Sequence, residues 1–188
     1  LLKVKRYWLM SGKLVSSERK IKAILEQKFE KVHVEAILKH FIGAKKKYQE
    51  SDWEGSILKS GKFVEAITKA FLKFCDKVLP RTRNFRAGIF LRDFEQEPVA
   101  IDDTVRIVIP KSCLFIYEIA SNRGTRHDPD GIDPNEIDAG ATDILNSWVL
   151  GELIRFSSRK DKRLKEARDL VGALTGKTYP LFEEIGDR

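Results

Sequence analysis

The stretch from Ser56 to Val78, SILKSGKFVEAITKAFLKFCDKV, decides the fold class. Val64, Ile67, Phe71, Phe74 and Val78 recur at spacings of three, four, three and four. That rhythm gathers them on one stripe of a helix, whereas a strand would alternate them between two faces. Gly61 costs a helix interior about 1 kcal/mol relative to alanine, so close packing against a neighbour is expected there. Leu79-Pro80 ends the segment, because the residue before a proline is pushed out of helical geometry.

The same period continues in both directions. Upstream, Ser17 is placed to cap a helix carrying Ile21, Ile24, Leu25 and Phe29. A second helix carries Val34, Ile37, Leu38, Phe41 and Ile42, with Gly43 as a break and Lys45 to Asp52 as a polar turn. Downstream, Phe85 to Glu95 predicts a short helix with Ile89, Phe90 and Phe94 inward. Between Glu97-Pro98 and Pro110, Val105, Ile107 and Ile109 alternate with Arg106 and Val108, which is a strand-like pattern. Lys111 to Ala120 returns to helix. Asp133-Pro134-Asn135-Glu136 then marks a helix start, with Asp133 as cap, Pro134 in the first position and Glu136 at capping-box spacing. Ile137, Ala141, Ile144, Leu145, Trp148 and Val149 form the expected buried face of that helix. A charged helix from Lys160 to Leu174 closes the pattern.

The expectation is an all-α helical bundle over residues 18–175, with short strands or extended arms at the N-terminus and around 97–110. Residues 1–17 read as an arm or partner-binding segment, and 176–188 as a tail or linker. The chain of 188 residues is 42% apolar and 34% charged, enough to bury a core and stay in water. No run approaches the ~18 apolar residues of a membrane span, and Lys3, Lys5 and Arg6 interrupt the early apolar residues of any leader. A cytoplasmic protein without a membrane partner is expected. The first residue is Leu1 rather than methionine, which fits either a fragment or a processed chain. Cys75 and Cys113 lie in apolar surroundings and read as reduced, buried thiols.

Net charge is +7, from 35 Lys plus Arg against 28 Asp plus Glu. The basic residues cluster at Lys45 to Lys47, at Arg81, Arg83 and Arg86, and from Arg155 to Arg163, which favours a polyanionic partner. Polar chemistry concentrates in Ile119-Ala-Ser-Asn-Arg-Gly-Thr-Arg-His127. His127 stands there beside Asn122, Arg123 and Arg126, and imidazole is the side chain suited to proton transfer near neutral pH. His33 and His40 fall in predicted helix and read as ordinary structural residues. The acidic run from Asp128 to Asp138 lacks the spacing of a calcium loop, so no metal site is expected. Phosphate-loop, nucleophile-elbow and dinucleotide motifs are also missing from the sequence.

Several motifs in order resemble the HEPN superfamily, and within it the abortive-infection C-terminal-like branch of bacteria. They are Gly61-Lys-Phe-Val-Glu-Ala66, Ile109-Pro110, the Ile119–His127 stretch, Ile132-Asp-Pro-Asn-Glu-Ile-Asp-Ala139 and Trp148-Val-Leu-Gly-Glu-Leu-Ile-Arg155. The resemblance covers residues 48–156. It implies a HEPN-like helical bundle that pairs as a homodimer through the motif face. It also implies an endoribonuclease toxin of an antiviral defence system, cutting RNA without metal or cofactor. An antitoxin or sensor protein of the same system would be a further partner.

The family motif runs from an arginine and a polar residue across four to six positions to a histidine. His127 takes the histidine place, Ser121 the polar place, and position 120, where arginine is expected, holds Ala120. Arg123 stands too near, with three residues between it and His127. Either a natural variant has lost the arginine, or the chain carries an arginine-to-alanine change. Asn122, Arg123 and Arg126 read either as contacts to flanking phosphates or bases of RNA or as solvated loop residues, and Glu65 either as a supporting residue that orients the arginine or as a surface pair. A non-catalytic bundle that binds RNA or docks protein is the alternative, and Ala120 favours it.

Overall fold

The computed structural model describes residues 16–80, 85–98, 101–123, 133–158 and 164–175. Their secondary structure is helical throughout: α1 (16–25), α2 (Lys31–Gln49), α3 (Trp53–Phe74), α4 (Ala87–Asp93), α5 (Ile109–Asn122), α6 (Glu136–Ser157) and α7 (Leu164–Thr175). A 3-10 turn at Phe94–Gln96 extends α4, and a π turn at Thr104–Val108 leads into α5. No strand occurs among the described residues.

Helix α3 packs against α2, α5 and α6, so it is the axis of the bundle. Phe63, Val64, Ile67 and Phe71 are fully buried. Phe71 stacks with Phe29 at 5.8 Å and meets the edge of Phe94 at 5.7 Å, while Phe63 lies 5.7 Å from Phe41 of α2. The helix stops at Phe74, four residues before Val78, which is 89% exposed. Its end is a Schellman closure. Asp76 takes the left-handed conformation (φ 55°), Lys77 N–H donates to Leu72 C=O, and Asp76 N–H donates to Lys73 C=O. The chain therefore turns before the proline signal at Leu79-Pro80 is reached.

The α2–α3 connection uses the same device and explains why Gly43 breaks nothing. Helix α2 runs through Gly43 to Gln49, so the polar turn expected from Lys45 begins only at Glu50. Ser51 is left-handed (φ 57°), and Asp52 N–H donates to Lys47 C=O. The Asp52 carboxylate then caps α3 by accepting from Gly55 N–H at 2.8 Å, and it pairs with Lys47 at 2.7 Å. A Cβ on Gly55 would fall 2.5 Å from that carboxylate, so glycine leaves room for the cap. A connection this short holds α2 and α3 antiparallel.

Other expectations need correction. The alternation around 97–110 is no strand: Thr104, Val105 and Ile109 are buried at helical spacing, while Val108 is exposed. Asp102 fixes the start of that turn by accepting from Thr104 N–H at 2.8 Å. Arg155 of α6 anchors it by donating to Thr104 Oγ1 at 2.7 Å. In α4 the inward residues are Ala87, Leu91 and Phe94, and Ile89 points to solvent. Helix α6 is capped by Asn135, which accepts from Asp138 N–H at 3.0 Å. Asp133 and Pro134 therefore precede the helix instead of opening it.

The largest correction concerns the face of α6. Ile137 (83% exposed), Ile144 (65%) and Trp148 point outward, although the sequence placed them inside. The buried face carries Ala139, Thr142, Asp143, Asn146, Val149, Leu150 and Leu153. Polar partners on α2 and α3 account for this choice. Asp143 pairs with Lys45 at 2.7 Å, and Asn146 Nδ2 donates to Ser60 Oγ at 2.7 Å. No described helix is long and apolar enough to cross a membrane.

Candidate functional site

The site expected from the sequence straddles the end of α5. Of its residues, Glu65, Ala120, Ser121, Asn122 and Arg123 are described, whereas Arg126 and His127 lie outside the described residues. The N-terminal arm to residue 15 and the tail from 176 lie outside them as well.

Ala120 lies in the last turn of α5 and faces α3. A Cβ added to Gly61 would come 2.9 Å from the Ala120 Cβ, closer than side chains tolerate. The glycine is therefore the reason α3 and α5 can approach at this level. Ser60, its neighbour, is fully buried and accepts from Asn146 Nδ2 while donating to Ser56 C=O at 2.9 Å. Asn146 Oδ1 is buried with no hydrogen-bond partner. Such an acceptor costs about 1–3 kcal/mol when unmade. Ser121, half-buried, follows Ala120 in the helix.

Asn122 and Arg123 are both held by neighbouring residues at the surface. Asn122 Nδ2 donates to the Glu118 carbonyl at 2.9 Å and to its carboxylate at 3.1 Å. Glu118 also receives Arg92 Nη2 at 2.6 Å, tying α5 to α4. Arg123 has left helical geometry (φ −109°, ψ 99°), and its Nε lies 3.5 Å from Asp138 in the first turn of α6. These two residues set where α5 ends and how it meets α6. Glu65 sits one turn beyond Gly61 on the same side of α3, half-buried, with no ion-pair partner among the described residues.

Sequence reasoning missed the polar interior shared by α2, α3 and α6. Lys45 Nζ reaches both the Asp143 carboxylate, at 2.7 Å, and its carbonyl, at 3.0 Å, with both side chains 9% exposed. Ser56 donates to Ala44 C=O at 3.1 Å, and Ser147 to Asp143 C=O at 2.9 Å. Tyr48 lies close by, and burial followed by Asp143 and Glu136 raises its hydroxyl above the usual value. The missed signal was the spacing of Ala139, Thr142, Asp143 and Asn146, which is helical and unbroken once polar residues are allowed inward.

Both cysteines are free. Cys113 is wholly buried, and burial drives its thiol far above the ordinary range, so it is no nucleophile. No group of three or more His, Cys, Asp and Glu among the described residues is arranged to hold a metal ion. His33 and His40 both lie on α2, and burial lowers each imidazole below the usual value, with Glu30 opposing the shift at His33 and nearby lysines adding to it at both. No family model, curated protein or solved structure matches the chain.

Proposed function

We propose that the chain is a HEPN-type endoribonuclease toxin in a disabled form, with Ala120 in the place of a catalytic arginine. The observation that carries this reading is the seat of Ala120. Its Cβ rests against Gly61 in the last turns of α5, where the helix hands over to the polar segment ending at His127. An arginine there keeps the Cβ that alanine already places beside Gly61.

In the active form, the ribose 2′-hydroxyl attacks the adjacent phosphate and the 5′-oxygen departs, leaving a 2′,3′-cyclic phosphate and a 5′-hydroxyl. His127 takes the proton of the attacking hydroxyl or returns one to the departing oxygen, a contribution of roughly 10²–10⁴-fold. The guanidinium at position 120 holds the charge that develops on the phosphorane. Removing such a donor costs about 2.7–4 kcal/mol of transition-state stabilisation. Ser121, Asn122, Arg123 and Arg126 line the same segment, and Glu65 is available to orient the arginine.

The outward stripe of Ile137, Ile144 and Trp148 on α6 supports a homodimer, since one apolar patch can meet its copy across a two-fold axis. A cytoplasmic setting and a restraining antitoxin or sensor belong to the same reading. The second reading, a non-catalytic RNA-binding or protein-docking bundle, is favoured by Ala120 itself, which offers no donor.

Ala120→Arg separates the two. Cleavage of RNA should rise by on the order of 10²–10³-fold over the parent chain, DNA should stay intact, and EDTA should change nothing. Induced cells should stop growing. Equal inertness of the two proteins would sink the ribonuclease reading and leave the binding module.

A further inference from the structure

The outer face of α3 carries a basic stripe that the site at the end of α5 does not use. At 3.6 residues per turn, positions 59, 62, 69 and 73 fall within about 80° of arc and extend about 21 Å along the helix. All four are lysines, and none forms an ion pair with the described residues. Lys45, Lys47, Lys77 and Lys111, by contrast, are each tied to a carboxylate.

Helix α2 supplies the edge of the stripe. His40 feels Lys59, Lys62, Lys39 and Lys69, while His33 feels Lys69 and Lys73, in the order an antiparallel pair dictates. Each imidazole has a buried ring nitrogen without a hydrogen-bond partner, Nε2 in His33 and Nδ1 in His40. The opposing charges are few. Glu30 lies 3.7 Å from His33 Nε2, and Glu65 stands between Lys62 and Lys69 on α3.

An aromatic platform adjoins the lysines. Phe85 and Phe90 are stacked at 5.4 Å with 14° between their planes, both half-buried, and Lys69 Nζ lies 4.7 Å above the Phe85 ring. A cationic track beside partly open aromatic rings is how proteins hold single strands: the cations follow the phosphates and the rings stack on bases. A lipid surface would instead call for protruding apolar side chains among the cations.

We infer that the α3 face formed by Lys59, Lys62, Lys69 and Lys73, with Phe85 at its side, binds single-stranded nucleic acid without sequence preference. The surface is independent of the cleavage chemistry, so it serves either function proposed above. Each neutralised phosphate of a single strand contributes about −0.7 to the slope of log K against log salt. Four contacts therefore predict about a 50-fold loss of affinity between 50 and 200 mM salt.

Fluorescence anisotropy of labelled oligo-rU and oligo-dT with the chain as it stands tests the inference. Lys62→Gln with Lys73→Gln removes two exposed cations, and should reduce that loss to about 7-fold. Lys46→Gln with Lys111→Gln, removing two cations elsewhere, should leave it unchanged. Phe85→Ala should weaken binding at every salt concentration without altering the slope. Circular dichroism confirms that each variant is folded. The inference is overturned by equal losses from both lysine pairs, by an unaffected Phe85→Ala affinity, or by binding to phosphatidylserine vesicles but to neither oligonucleotide. Because binding is read without cleavage, an inert Ala120→Arg enzyme would not touch this result.

Discussion

Helices α3 and α6 are both 22 residues long and pack against each other, yet they obey their sequences differently. Helix α3 buries the stripe its apolar period marks, Val64, Ile67 and Phe71. Helix α6 exposes Ile137, Ile144 and Trp148 and buries Thr142, Asp143 and Asn146. The difference is one of contrast between faces. In α3 one side is apolar and the opposite side carries lysines, so burial of the apolar side dominates. In α6 both sides offer apolar residues, with Val149, Leu150 and Leu153 inward of Trp148. Apolar area then favours neither rotation strongly. Lys45 and Ser60, waiting on α2 and α3, decide it, because a buried polar group left without its partner is expensive.

The comparison breaks most forcefully at Asp143 and Phe71. Asp143→Ala strands the Lys45 ammonium in a site where its side chain is 9% exposed, and removing one partner of such a pair costs about 3–5 kcal/mol. Phe71→Ala costs a similar ~3–5 kcal/mol by opening a cavity among Phe29 and Phe94. Second-site changes tell the two mechanisms apart. Adding Lys45→Met to Asp143→Ala should recover most of the loss in urea unfolding, because the stranded charge is gone. Adding it to Phe71→Ala should recover nothing. If Lys45→Met fails to rescue Asp143→Ala, the ion pair is not what orients α6.

This contrast also explains how far the sequence could be read. Ser56 to Phe74 announced its own helix and its own buried face, because each apolar residue there reinforces the next. The ends were less legible. The Schellman closures at Ser51 and Asp76 place non-glycine residues in left-handed geometry, and no glycine marks either stop. The turn at Thr104–Val108 read as a strand because its side chains alternate over five residues, while its burial depends on Arg155, 51 residues away. Asp143 and Asn146 were unreadable for the same reason: their partners are 98 and 86 residues distant in the chain. At the candidate site, Ala120 was singled out by a resemblance alone. That this position abuts Gly61 required the packing of α3 on α5.

Gly61 gives a smaller test on the α3 side. Gly61→Ala would gain helix propensity, worth roughly 1 kcal/mol at a free position. Here its new Cβ meets the Ala120 Cβ at 2.9 Å, and overpacking of that kind costs about 1–3 kcal/mol. The net change should be destabilising. Ala120→Gly removes the opposing carbon, so the two substitutions together should be less damaging than the sum of each alone, a coupling that a double-mutant cycle in urea measures. Additive effects would mean that α3 and α5 do not touch at this level, and the seat proposed for a catalytic arginine would lose its basis.

The smallest effect belongs to the residue beside Asp143. Ile144 is apolar and 65% exposed, so Ile144→Lys should change the stability of an isolated bundle by no more than about 0.5 kcal/mol. One position along the helix thus separates a severe substitution from a nearly silent one, although the hydrophobic pattern alone ranks them the other way. Unfolding at two protein concentrations sharpens the point. If two copies pair through Ile137, Ile144 and Trp148, the parent chain should gain stability with concentration and Ile144→Lys should lose that gain, because association stabilises by mass action. A concentration-independent loss above about 1 kcal/mol would instead place Ile144 in the core, far outside the range of exposed positions, and would mean that α6 follows its apolar period after all.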